Sequence, residues 1–150
     1  MKYQIEKVKD CRKEVQPLIE KHWAEIALNQ DAIKLNPDWD MYNKLEGLGM
    51  LYAYTAREGD KLVGYFTVVA TKGLHYADHV FASCDIIYIL PEYRKGRAGL
   101  GLIKHVEEDL KSKNISSLTI NTKCHSPFDS LLEHLEFQLT ERLYSKYIGD

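Results

Sequence analysis

Arg94, Lys95, Gly96, Arg97, Ala98 and Gly99 set three cations and two glycines into six positions, between an apolar run at 86–90 ended by Pro91 and a helical spacing of apolar residues that begins at Ala98. A helix N-terminus already carries positive partial charge and free backbone N–H groups, so cations crowded there are disfavoured unless an anion joins them. Gly96 and Gly99 have no Cβ to block the approach of such a group. The stretch predicts a phosphate site, with an ordinary connection carrying a solvated basic patch as the plainer reading.

Three further residues are candidates for proton transfer. Asp85 stands among Cys84, Ile86 and Ile87, where a carboxylate must be paired, solvated by a cleft, or raised in pKa. It is the first candidate for a general base, against a structural aspartate bonded to the 75–79 loop. His22 shares a helical face with Leu18, Ile19 and Ile26 and is either a packed core histidine or a weaker base candidate. Tyr144, in a tyrosine-rich C-terminal run, is either a packing residue or an acid. His75 and His79, with Asp78 and Cys84 nearby, have a spacing that favours ligation only on a helix, and this segment reads as a loop, so no metal is predicted.

The elements that must position these residues follow from periodicity. Residues 3–8 alternate as a first strand, and a helical segment follows that Asp10 could cap, with Pro17 either at the first position of a main helix or kinking a single one. A short helix is expected at 38–45, where Asp31, Asp38, Asp40 and Glu46 gather near Trp39 and Tyr42; this is either a solvated connector or a surface suited to a cationic amine. Two strands at 50–57 and 61–71 flank Glu58, Gly59 and Asp60 as a hairpin, and a third strand at about 80–90 completes a meander. A helix at 98–113 should turn Gly99, Leu102, Ile103, Val106 and Leu110 inward, with Asn114 as its cap. The strand at 117–123, reached by a crossover, should run parallel to the strand before the loop. A helix at 126–135 opening on Pro127 and a final strand at 139–148 close the chain.

The order β-α-α-β-β-β-α-β-α-β predicts an α/β fold with a mixed sheet, mostly antiparallel with one parallel strand pair. That order, with Leu-Pro-Glu-Tyr-Arg followed by Lys-Gly-Arg-Ala-Gly, resembles the GNAT N-acetyltransferase superfamily over essentially the whole chain. The usual loop there is Arg or Gln, two residues, Gly, one residue, then Gly or Ala; here Arg97 takes the first glycine's place and the glycine has moved to Gly96. The runs Leu-Asn-Gln-Asp, Asn-Pro-Asp-Trp-Asp and Tyr-Ser-Lys-Tyr are similar to a group common in bacteriophages and prophages.

The resemblance implies acetyl-CoA as the acetyl source, with Ile87, Tyr88, Ile89 and Leu90 lining pantetheine and Arg94 through Gly99 holding pyrophosphate. It implies an amine acceptor, either a small molecule or a protein, and a possible homodimer formed by pairing sheet edges through Tyr144 and Tyr147. Leu132 occupies the position at which many members carry a tyrosine acid, and His125 that of a common asparagine. These departures sustain a second reading, a non-enzymatic binding protein of the same fold.

At 150 residues the chain suits one domain spanning 1–150, a size that buries about 70% of its unfolded surface. A net charge of −2 lacks the basic excess of a nucleic-acid binder. Three widely spaced cysteines suit a reduced compartment, and neither an apolar N-terminal region nor an uncharged run of ~20 apolar residues is present, so a cytoplasmic protein without membrane partners is expected.

Overall fold

Gly59, at φ +58°, makes the tight turn between strands β2 (Leu51–Glu58) and β3 (Lys61–Lys72), a conformation that glycine adopts without steric cost. This hairpin is the middle of the sheet in a computed structural model that describes residues 1–149. Strand β1 (Lys2–Ile5) pairs antiparallel with β2, β4 (Val80–Ile89) pairs antiparallel with β3, and β5 (Ser117–Thr119) lies parallel to β4. The order across the sheet is β1-β2-β3-β4-β5.

Because strand side chains alternate, β2 and β3 serve two helical layers. Ala53, Thr55, Tyr65 and Thr67 face α1 (Val8–Ile26) and α2 (Trp39–Gly47), lining the cleft beneath them. Tyr54 looks the other way, its hydroxyl donating to Asp109 of α3 (Ala98–Ser112) at 2.7 Å. The inward face expected for α3 is found, with Leu102, Ile103 and Val106 fully buried beside Tyr54, Phe66 and Val68. Gly99 is half-buried against Leu131 of the short helix α4 (Asp129–His134).

Several expected details differ. Helix α1 begins at Val8 with no side-chain cap from Asp10; the Glu46 carboxylate from α2 accepts the Val8 N–H at 3.1 Å instead. Pro17 neither starts nor interrupts α1, which runs continuously through it. Helix α2 is capped by Asp38, whose carboxylate accepts the Met41 N–H at 2.9 Å. Helix α4 starts at Asp129, after Pro127 rather than on it, and Asn114 after α3 takes a left-handed turn at φ +58°.

The final strand expected at 139–148 is absent: residues 138–149 have no regular structure and are exposed, Tyr144 at 86%. Alternation supplies a strand's two faces but not its partner, and β5 pairs over only three residues at that edge of the sheet. A homodimer built on sheet pairing by that strand therefore has no strand to start from. Removing residues 139–150 should shift the melting temperature by less than about 2 °C, since exposed segments contribute little to stability. A drop of about 5 °C or more in a thermal melt would show instead that the tail docks.

Candidate active site

The register between β3 and β4 skips one residue. Val68 lies opposite Cys84 and Thr67 opposite Ile86, so Asp85 is the extra residue of a β-bulge. On its other side β4 pairs with β5 only as far as Ser83 and Thr119. Past the bulge β4 therefore has β3 on one side and, among the described residues, no paired strand on the other, a gap in the ladder.

Which residues face that gap follows from hydrogen-bond alternation. The Leu90 N–H donates to Val63 O at 2.9 Å, so that N–H, and the backbone groups of Tyr88 two residues before it, turn towards β3. Ile87 and Ile89 turn theirs to the gap. By this alternation, of the four residues expected to line pantetheine only Ile87 and Ile89 direct backbone groups to the gap; Ile89 is buried like Tyr88 and Leu90, and its carbonyl already accepts from Arg94 Nε, which leaves its N–H.

Asp85 is held without being enclosed. Its Oδ2 accepts from Thr67 Oγ1 at 3.0 Å and from the Tyr42 hydroxyl at 3.1 Å, while the residue stays exposed. Burial first, and Asp85 next, push the Tyr42 phenol well above its ordinary pKa, so it stays a donor. The alternative anchor, the 75–79 loop, is engaged elsewhere: His79 Nδ1 lies 2.8 Å from Ser116 Oγ. Tyr42 and Thr67 also line a narrow, open-mouthed cleft together with Arg12, Trp39 and Ile86. Burial pushes the Cys84 thiol up to about 12, with Asp85 contributing, so beside the carboxylate it is protonated and a poor nucleophile.

At the far end of the gap, α3 opens at Ala98 with Arg97 as its N-cap and no side-chain cap bond. Lys95, Gly96 and Arg97 are exposed, nothing stands within 4 Å of a Cβ placed on Gly96, and among the described residues neither Lys95 nor Arg97 has a carboxylate partner. Uncapped N–H groups beside two uncommitted cations fit a pyrophosphate. Arg94 departs from its expected place there. Its guanidinium meets Glu25 through two bonds of 2.6 and 2.8 Å, and its Nε donates to Ile89 O at 2.8 Å.

His22 is buried, its Nδ1 2.8 Å from the Tyr65 hydroxyl and its ring stacked on Tyr88 at 4.8 Å between centroids. Burial lowers its pKa to about 4, which leaves a neutral imidazole of little basicity at pH 7. Tyr144 lies in the exposed tail, away from regular structure, and Leu132 packs against the core from α4. Among the described residues no three His, Cys, Asp or Glu side chains converge as metal ligands. The sequence reading missed Thr67, Tyr42 as a partner of Asp85, and Glu25. A hydroxyl within the apolar run of β3 and the aromatic pair at 39 and 42 were available signals; Glu25 reads as any solvated helix position.

The chain matches the acetyltransferase (GNAT) family over residues 16–128. Among solved structures it is similar to a predicted acetyltransferase from Clostridium acetobutylicum solved with acetyl-CoA, at 15% identity and a TM-score of 0.72 over 98% of this chain and 96% of that one. An aminoglycoside acetyltransferase from an uncultured soil metagenomic sample, solved with sisomicin, shares 16% identity at a TM-score of 0.76 over 99% and 95% of the two chains. A ribosomal-protein-alanine N-acetyltransferase from Brucella melitensis biovar Abortus shares 19% at 0.67 over 100% and 99%. Among curated proteins no relative matches the sequence significantly.

The His22 shift has a signed consequence. With a folded pKa of about 4 against the ordinary 6.5, the unfolded chain binds the proton more readily between these values, so stability falls as pH drops through that window, by at most about 3 kcal/mol from this group. Glu6, held at about 2 chiefly by Arg57, adds its loss below its ordinary 4.5. Melting curves of His22→Asn should show a flatter dependence between pH 6.5 and 4.5 than wild type, whatever the absolute stability; parallel curves would place the dependence elsewhere.

Proposed function

Because the chain belongs to the acetyltransferase (GNAT) family, whose members draw the acetyl group from acetyl-CoA, we propose that it acetylates a primary amine of a small molecule or a protein, with Asp85 as the general base. The observation that supports this reading is the bulge, at which the Asp85 carboxylate bonds to Tyr42 and Thr67, two residues lining the cleft under α1 and α2, just past the end of the β4–β5 pairing.

Acetyl-CoA supplies a thioester whose carbonyl carbon a neutral amine can attack. The chain's part begins with binding: Ile87 and Ile89 offer backbone groups along the gap, and Lys95, Arg97 and the first N–H groups of α3 hold negative charge at its end. The cleft beside Trp39 and Tyr42 receives the acceptor. An amine enters as an ammonium and must lose a proton to expose its lone pair. Tyr42 and Thr67 both bond to Oδ2, which fixes the carboxylate while Oδ1 would attract the ammonium and take its proton before attack; as the C–N bond forms the thioester C–S bond would break, and the second proton lost by the amine would end on the departing thiol.

A second reading, a binding protein of this fold, draws support from Leu132 at the position of the usual tyrosine acid and from Arg97 at that of the usual glycine. Calorimetry with CoA, followed by an acetylation screen over polyamines, aminoglycosides and peptide N-termini, separates the two. Micromolar CoA binding with turnover on any amine supports the enzyme; binding without turnover, or no binding, supports the second reading.

Asp85→Asn keeps the shape of the side chain and removes its proton affinity, so turnover should fall at least about 10²-fold with CoA affinity nearly level. A stable variant with wild-type turnover would eliminate Asp85 as base. Arg97→Glu reverses charge beside the expected pyrophosphate and should weaken CoA binding about 10- to 100-fold without unfolding an exposed loop. Unchanged affinity in the folded variant would remove Arg97 from the site.

A further inference from the structure

The strap between Arg94 and Glu25 joins two parts of the molecule that one ligand would have to span. Arg94 opens the loop before α3, and its guanidinium turns back from that helix to lie 5.1 Å over the Tyr88 ring. There it makes three bonds: Nε to Ile89 O at 2.8 Å, and the two terminal nitrogens to both oxygens of Glu25 at 2.6 and 2.8 Å. Glu25 sits in the last turn of α1, one turn beyond His22, which stacks on the same Tyr88. Each charge stabilises the other: the hydrogen bonds hold the Glu25 carboxyl below its ordinary range and the Arg94 guanidinium above its own.

A lone surface ion pair would mean little, because solvent screens it and two long side chains lose rotamer freedom. This one is bidentate, carries a third bond to the backbone and rests on an aromatic face, so the guanidinium is fixed on several sides. The backbone it holds matters. Ile89 O is the last carbonyl facing the gap, and Arg94 begins the turn that delivers the N–H groups of α3.

We propose that Glu25 is a positioning residue for acetyl-CoA: through Arg94 it sets the pyrophosphate loop against the open edge of β4, so that the two halves of one cofactor find their binding groups in register. Arg94 is then a strap, and the phosphate charge is met by Lys95, Arg97 and the helix terminus. This rests on the reading of the gap as the acetyl-CoA site.

The test compares Glu25→Gln, Arg94→Gln and the double variant, using calorimetric CoA binding by the purified protein and kcat/KM with acetyl-CoA and with S-acetylpantetheine, which lacks the pyrophosphate. Each single change should weaken CoA about tenfold. The double should be no worse than either single, because both remove one strap. In Glu25→Gln, which leaves the Arg94 bond to Ile89 O in place, activity with S-acetylpantetheine should stay within about twofold, which general loosening of the fold would not allow. Four outcomes overturn the proposal: unchanged or tighter CoA binding in folded Glu25→Gln, an additive loss near a hundredfold in the double, an equal loss with S-acetylpantetheine, or melting temperatures that fall in step with affinity. A wild-type protein that binds no CoA would sink the underlying reading as well, so the two failures are told apart by the wild-type titration.

Discussion

One strand loses its partner on one side, and the rest of the molecule is arranged around that loss. Strand β4 is paired with β3 along its length, whereas β5 accompanies it only to Ser83. Beyond that point Ile89 O is met by Arg94 Nε, whereas the Ile89 N–H and the backbone groups of Ile87 would cost free energy if buried without partners, so they belong at a surface or against a ligand that completes the ladder. The bulge at Asp85 falls two residues past the last β4–β5 pair. An extra residue there increases local twist and re-aims the following residues, which is consistent with the two parallel strands parting at this place.

The same bulge accounts for an exposed carboxylate on an otherwise apolar strand. Within a regular ladder, position 85 would sit between Cys84 and Ile86 with its side chain fixed to one face. As the unpaired residue it reaches Tyr42 on α2 and Thr67 on β3 and still meets solvent. Two hydroxyl donors orient the carboxylate.

At the other end of the gap, charge is handled by division of labour. Three cations stand within four residues at 94–97, an unfavourable concentration beside a helix N-terminus. One of them, Arg94, is paired with Glu25, while among the described residues Lys95 and Arg97 have no carboxylate partner. The last turn of α1 is thereby tied to the loop at 94–97 through His22, Tyr88 and Arg94 on one side, and leads towards α2 and the cleft beneath it on the other.

Local chemistry was legible in the sequence because its causes are local. The hairpin at Gly59, the apolar face of α3 and the clash of charge at 94–97 each follow from residues close in sequence, the parallel β5 follows from the order strand–helix–strand, and that order with the loop's residues is what resembles the family. What the sequence by itself could not determine depends on partners distant along the chain. Whether 139–148 forms a strand depends on a free edge to pair with, whether Arg94 holds phosphate or structure depends on Glu25 sixty-nine residues earlier, and whether Asp85 is buried or held open depends on a one-residue slip in register against β3. A side chain's type sets which bonds it can make; only the tertiary structure decides which partner arrives first, because competition among charges and hydrogen-bond donors is settled by distance in space.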